Sequence, residues 1–117
     1  MQPIQPPVKK PGLASPKTVD AVAFDPKEQV YRLILELDVV LDGSRAQALA
    51  LQEKLNTYVG FALEEMGDRY PGSEGKDVVI RVVAREAPQG KGAALLEKFK
   101  AAIVEQGLGF EVDVVAR

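Results

Sequence analysis

The chain has 117 residues, 46% hydrophobic and 27% charged, with a net charge of −2. That is the size and makeup of one globular domain with an adequate core. It holds no cysteine, no histidine and no tryptophan, which excludes disulfides, thiolate metal sites, thiol nucleophiles and imidazole acid–base chemistry.

The charge is unevenly spread. Lys9, Lys10 and Lys17 give residues 1–18 a charge of +3, whereas residues 19–117 hold the other 12 bases against all 17 acids, a net of −5. An acidic body repels a phosphate backbone, so no nucleic-acid partner is expected. No apolar run approaches the ~20 residues of a membrane span, and no apolar leader segment opens the chain. The expected location is the cytoplasm.

Residues 1–18 contain five of the eight prolines and no hydrophobic periodicity. They predict a disordered or polyproline-II tail ahead of a single domain over 19–117. Pro3-Ile4-Gln5-Pro6 matches the P-x-x-P pattern read by aromatic grooves. A solvated tail accounts for the same composition.

Val19 to Phe24 reads as a short first strand, and Asp25-Pro26-Lys27-Glu28 as a turn with Asp and Pro in their favoured places. In Gln29 to Leu37, Tyr31, Leu33, Leu35 and Leu37 alternate with Val30, Arg32, Ile34 and Glu36. This is the period of a half-buried strand, and the two strands form a hairpin.

A long amphipathic helix is predicted over Ser44 to about Arg69. Ser44 and Gln47 have capping-box spacing, and Asp42-Gly43 marks the turn before them. Ala48, Leu51, Leu55, Tyr58, Val59, Ala62, Leu63 and Met66 recur at three- and four-residue steps and define the inward face. Glu53, Asn56, Thr57, Gly60, Glu64 and Asp68 face out, and Phe61 sits on the flank, a rim core residue or an exposed contact. Such a helix spans roughly 35–40 Å, so one end is expected to overhang the domain. Gly67 is an early candidate stop; Tyr70-Pro71-Gly72 ends it.

Asp77 to Arg85 is a second strong strand, with Val78, Ile80, Val82 and Ala84 on one side and Val79, Arg81, Val83 and Arg85 on the other. Gly92, Leu95, Leu96, Phe99, Ala102 and Ile103 mark a second amphipathic helix, stopped by Gly107. Phe110 to Val115 is the last strand, with Phe110, Val112 and Val114 inward.

The order is ββαβαβ. Right-handed crossovers make strands two, three and four parallel and put both helices on one face. The predicted fold is α+β, a two-layer α/β sandwich on a four-stranded mixed sheet. The strand order is 1-2-3-4, preferred over 2-1-3-4 because the first strand is short and alanine-rich.

That arrangement leaves one sheet face open, carrying Arg32, Ile34, Glu36, Val79, Arg81, Val83, Arg85, Glu111 and Asp113, with Val115 beyond. Arg81 and Arg85 are expected beside Glu111 and Asp113 as cross-strand ion pairs. An ordinary solvated face carries such pairs. So does a self-complementary surface whose opposite charges pair across a two-fold axis.

Sites for chemistry are sparse. Ser15, Ser44 and Ser73 have no imidazole to activate them, and Glu64, Glu65 and Asp68 read as a solvated helix face. Asp38 and Asp42 suit turn and cap roles better than a cation loop. Arg85 to Gly92, REAPQGKG, leads from a strand into a helix, where anions bind. It lacks the G-x-x-x-x-G-K-[ST] spacing, so Gly90, Lys91 and Gly92 are an anion site only by position. No cofactor and no metal site are expected.

The hairpin from Val19-Asp20-Ala21, the LQEKLNTYVGF segment (51–61) and the RYP and KDVVIRVV segments (69–71 and 76–83) resemble a family of small bacterial proteins of unknown function. The resemblance covers about Val19 to Val115. It implies the ββαβαβ fold and a bacterial origin, and brings no activity or site residue. The functional expectation is a non-catalytic protein-interaction module, binding another protein or itself as a homodimer through the open face or the overhanging helix end. The alternative is a small-anion or nucleotide-binding protein using the 90–92 helix entry. An enzyme built on carboxylates such as Glu64 and Asp68 stands third.

Overall fold

The computed structural model describes residues 18–37, 39–73 and 75–115. The predicted tail lies outside the described residues, apart from Thr18. The elements are β1 (Ala21–Asp25), β2 (Val30–Glu36), α1 (Arg45–Gly60), a π-helical turn (Phe61–Glu65), α2 (Met66–Arg69), β3 (Asp77–Ala84), α3 (Gly90–Glu105) and β4 (Gly109–Val114). The sheet order is β1-β2-β3-β4, with β1 antiparallel to β2 and the other pairs parallel. This is the expected ββαβαβ mixed sheet in the preferred strand order.

The hairpin turn is built by Asp25. Its carboxylate accepts from the backbone N–H groups of Lys27 (2.9 Å) and Glu28 (3.2 Å), and its carbonyl accepts from Gln29 (2.8 Å). Gln29 takes the left-handed conformation that closes the turn, with φ of 60°. β1 therefore starts two residues later than predicted and runs into Asp25.

At the start of α1 the Ser44 hydroxyl accepts from the Gln47 N–H at 3.3 Å, half of the expected box. The Gln47 amide reaches past Ser44 instead. It accepts from the Asp42 N–H (2.9 Å) and donates to the Val40 carbonyl (3.0 Å), tying the preceding loop to the helix.

α1, the π turn and α2 form one continuous rod. In the π turn the Met66 N–H donates to the carbonyl of Phe61, five residues back. The extra residue advances the helical phase, so Phe61 and Met66 share the buried face while Leu63 turns out, 54% exposed. The periodicity placed Leu63 inward because it assumed an unbroken α-helix. Gly67 does not stop the rod, which ends at Arg69 as predicted.

The rod and α3 bury their apolar sides in one core with the strands: Val22, Leu33, Leu35, Ile80, Val82 and Ala84 join Leu51, Leu55, Tyr58 and Phe61 from the rod and Leu96 and Ile103 from α3. Val112 and Val114 also point to the helix side but remain 40% and 43% exposed. They lie on the edge strand, where helical cover runs out. Ala102, predicted inward, is exposed at a groove between α1 and α3.

Candidate functional site: an acidic sheet face turned away from the helices

Pleating puts Ala21, Ala23 and Asp25 of β1, Val30, Arg32, Ile34 and Glu36 of β2, Asp77, Val79, Arg81 and Val83 of β3, and Gly109, Glu111 and Asp113 of β4 on the face away from the helices. The structure thus unites eight of the nine predicted surface residues. Arg85 is the exception. β3 ends at Ala84, and Arg85 is exposed one residue past it, in the wall of a cleft.

Arg32 organises the face. Its side chain is only 10% exposed and holds three carboxylates: Nε–Glu111 at 2.8 Å, Nη1–Asp25 at 3.0 Å and Nη2–Glu28 at 3.3 Å. In register, Arg32 lies beside Val79 and then Gly109. The guanidinium therefore reaches across β3 to a residue two strands away. Arg81 follows, with Nη2 on Asp113 at 2.9 Å and Nε 3.7 Å from Glu111. Since the near oxygen of Glu111 is taken by Arg32, the buried Nε of Arg81 has no hydrogen-bond acceptor among the described residues.

The charges respond accordingly. Glu111, above all, holds the Arg32 proton more tightly than usual. The Asp25 carboxyl sits below the usual carboxylate range, chiefly through the Glu28 N–H and then through Arg32.

Both arginines are ion-paired within the chain, but the carboxylates outnumber them. The strands present five on this face (Asp25, Glu36, Asp77, Glu111 and Asp113) against Arg32 and Arg81, a net of −3. Ile34, Val79 and Val83 lie half-buried among them. Glu36, Val83 and Asp113 form one row across the sheet, a valine between two carboxylates.

Under the opposite face lies a polar cluster that the periodicity did not assign. Lys54 is fully buried with Nζ 2.6 Å from the carboxylate of Asp20, itself 1% exposed. The other Asp20 oxygen accepts from the Glu36 N–H (3.0 Å). The Tyr58 hydroxyl accepts from the Asp20 N–H (2.8 Å) and donates to the Ile34 carbonyl (2.7 Å). Burial pushes the Tyr58 hydroxyl well above its ordinary pKa. The available signal was spacing: Lys54 is three residues from Leu51 and four from Tyr58, on the apolar stripe.

The 90–92 segment has a packing explanation. Gly92 is buried, and a Cβ there would run into the Leu41 carbonyl; Gly43, with φ of 78°, backs directly onto Lys91. The loop that follows β2 is thereby pressed against the first turn of α3. Beside them lies an open cleft of about 480 Å³ lined by Val40, Leu41, Arg85, Glu86, Ala87, Gln89 and Val114.

Glu64, Glu65 and Asp68 are exposed on the rod, Glu65 paired with Arg69 at 3.7 Å. Asp42 accepts from the Ser44 N–H at 2.8 Å, the main reason its carboxyl lies below the usual range. Asp38 lies outside the described residues. Among those residues no three His, Cys, Asp or Glu side chains converge as metal ligands, and no helix is long and apolar enough to cross a membrane.

Fold and site define a small two-layer α+β sandwich with one charged sheet face that no helix covers among the described residues. The chain belongs to the family of unknown function DUF6572, whose model matches residues 12–116. The match takes in the whole sandwich and reaches back into the proline-rich segment. No curated protein and no solved structure matches the chain.

Proposed function

We propose that this protein is a non-catalytic interaction module that docks a protein partner on its open sheet face. The carrying observation is the composition of that face: half-buried Ile34, Val79 and Val83 interleaved with five carboxylates and only two guanidiniums. Both guanidiniums are engaged within the chain, so the face offers apolar contact and unspent negative charge. Its partner is a basic segment carrying apolar side chains. A second copy of the chain is the less favoured occupant, because it brings the same net −3 to the contact.

The experiment is affinity capture from the native cell with three baits. One is the unaltered chain, one carries Val83→Arg on the open face, and one carries Leu63→Lys on the exposed helix side. The reading expects a partner lost with Val83→Arg and kept with Leu63→Lys. Equal capture by all three removes it. Light scattering on the same samples decides whether the chain is its own partner.

A second reading takes the cleft beside Arg85. Ligands of open α/β sheets sit at the carboxyl ends of the strands, and Arg85 stands there to meet a small anion. Nucleotide or phosphate titration followed at the Arg85, Lys91 and Gly92 amides tests it. Unmoved signals at millimolar ligand end it.

A further inference from the structure

We infer that β4 is an acceptor edge, along which an extended segment of alternating basic and apolar residues pairs as a fifth strand. The inference rests on the reading of the partner as a basic segment with apolar side chains and adds how that segment is held.

The backbone is the first argument. β4 is an edge of the sheet, paired with β3 alone among the described residues. Just past it the Val115 N–H donates to the Ala84 carbonyl at 2.8 Å. Backbone groups alternate in direction along a strand, so those of Glu111 and Asp113 also turn to β3. Those of Phe110, Val112 and Val114 turn outward, an N–H and a C=O from each. Proteins blunt such an edge with Lys, Pro or a bulge. GFEVDV has neither Lys nor Pro, and its register with β3 runs unbroken from Gly109 to Val114.

Side chains are the second. Val112 and Val114, on the helix side, stay 40% and 43% exposed, and exposed Val40 lines the same cleft as Val114. The opposite edge differs: in β1 the helix-side Val22 is fully buried, and Pro26 follows the strand. A strand added about 4.8 Å beyond β4 lays its apolar residues beside Val112 and Val114.

Charge decides the occupant. Glu111 and Asp113 are the charged residues of β4, with side chains 40% and 42% exposed. The arginines engage Oε1 of Glu111 and Oδ2 of Asp113, and the other two carboxylate oxygens have no partner among the described residues. Lysines or arginines at alternate positions of an added strand meet those oxygens on the open face. A second copy does not. Pairing β4 with itself across a two-fold axis, centred on Glu111, Val112 or Asp113, sets carboxylate opposite carboxylate each time.

The probe is a blocked peptide of about eight alternating Lys and Val residues, added to the full chain. The readout is amide hydrogen exchange. In the free chain Glu111, Asp113 and Val115 are expected to be protected, and Phe110, Val112 and Val114 to exchange freely. With peptide about ten times above its Kd, the last three slow about tenfold. A peptide of alternating Glu and Val slows none of them. Val112→Pro deletes one outward N–H and leaves the ladder to β3 intact, whereas Val112→Lys keeps every N–H and places a charge in the apolar row. Each variant is expected to bind about tenfold more weakly, and Val112→Lys to keep the unfolding midpoint.

Protection of the three amides in the free chain overturns the inference, because the edge is then already occupied. So does unchanged exchange at millimolar peptide, equal slowing by the Glu peptide, or undiminished binding by a folded Val112→Lys. Peptide that shifts Ile34 and Val79 without slowing the three amides also overturns it, yet leaves the open face as the docking surface. The capture experiment with Val83→Arg tests that face separately, so the two failures are told apart.

Discussion

Lys54 and Asp20 form an ion pair at 2.6 Å with neither side chain in contact with water. The pair fastens the residue that precedes β1 to the inner face of α1, and Asp20 also takes the Glu36 N–H. Removing one member leaves its opposite charge buried. Lys54→Met is expected to cost about 3–5 kcal/mol in urea unfolding. Adding Asp20→Asn to that background removes the stranded charge and recovers about 2 kcal/mol or more, a coupling that a double-mutant cycle reads directly.

Tyr58 completes the cluster by bridging the Asp20 N–H and the Ile34 carbonyl. Tyr58→Phe leaves both groups short of a partner in a dry site, and a loss of about 1–3 kcal/mol is expected.

Stability should also fall at both ends of the pH scale. The Tyr58 hydroxyl is held neutral in the fold by burial, its pKa raised. Below about pH 10 the folded and unfolded states are equally protonated there and nothing changes. Above it the unfolded state ionises while the folded state does not, so stability drops by about 1.4 kcal/mol per pH unit from this group. Tyr70 is raised in the same sense by burial. Tyr58→Phe should flatten the alkaline limb. On the acid side the Asp25 carboxyl is lowered, first by the Glu28 N–H and then by Arg32. Its contribution is present above about pH 4 and is lost as pH falls through its depressed value. Asp25→Asn should flatten part of the acid limb, measured as unfolding midpoint against pH.

Gly92→Ala tests the packing of the loop against α3. The added methyl meets the Leu41 carbonyl, which belongs to the backbone and yields poorly. Overpacking of this kind costs about 1–3 kcal/mol, more than the gain of up to ~1 kcal/mol from replacing a helical glycine. A lowered unfolding midpoint is expected, whether or not nucleotide is present.

Much of this architecture was legible in the chain. Alternation in β2 and β3 sorted Leu33 and Ile80 from Arg32 and Arg81 correctly, because a pleated strand leaves side chains only two directions. Strand order followed from crossover handedness and from the small residues of β1. The failures have local causes. Leu63 faces outward, against its predicted place, because a π turn shifts helical phase without any mark in the sequence that periodicity can read. Lys54 escaped assignment because its partner, Asp20, is 34 residues away in the chain. Arg85 was counted into a strand that ends at Ala84. The predicted Arg81 pairs with Glu111 and Asp113 are present, but the deeper role of Arg32 was not visible. It depends on Asp25, Glu28 and Glu111 converging from a strand end, a turn and a strand two positions away.

The most direct test of the docking surface is the single substitution Val83→Arg. The new guanidinium lies between Glu36 and Asp113 in register, so the fold should keep its unfolding midpoint. The face, however, loses an apolar contact and one unit of negative charge. Captured from the native cell beside the unaltered chain and Leu63→Lys, the variant is predicted to lose a partner that the other two retain. An unchanged partner set on a folded Val83→Arg bait would contradict the account.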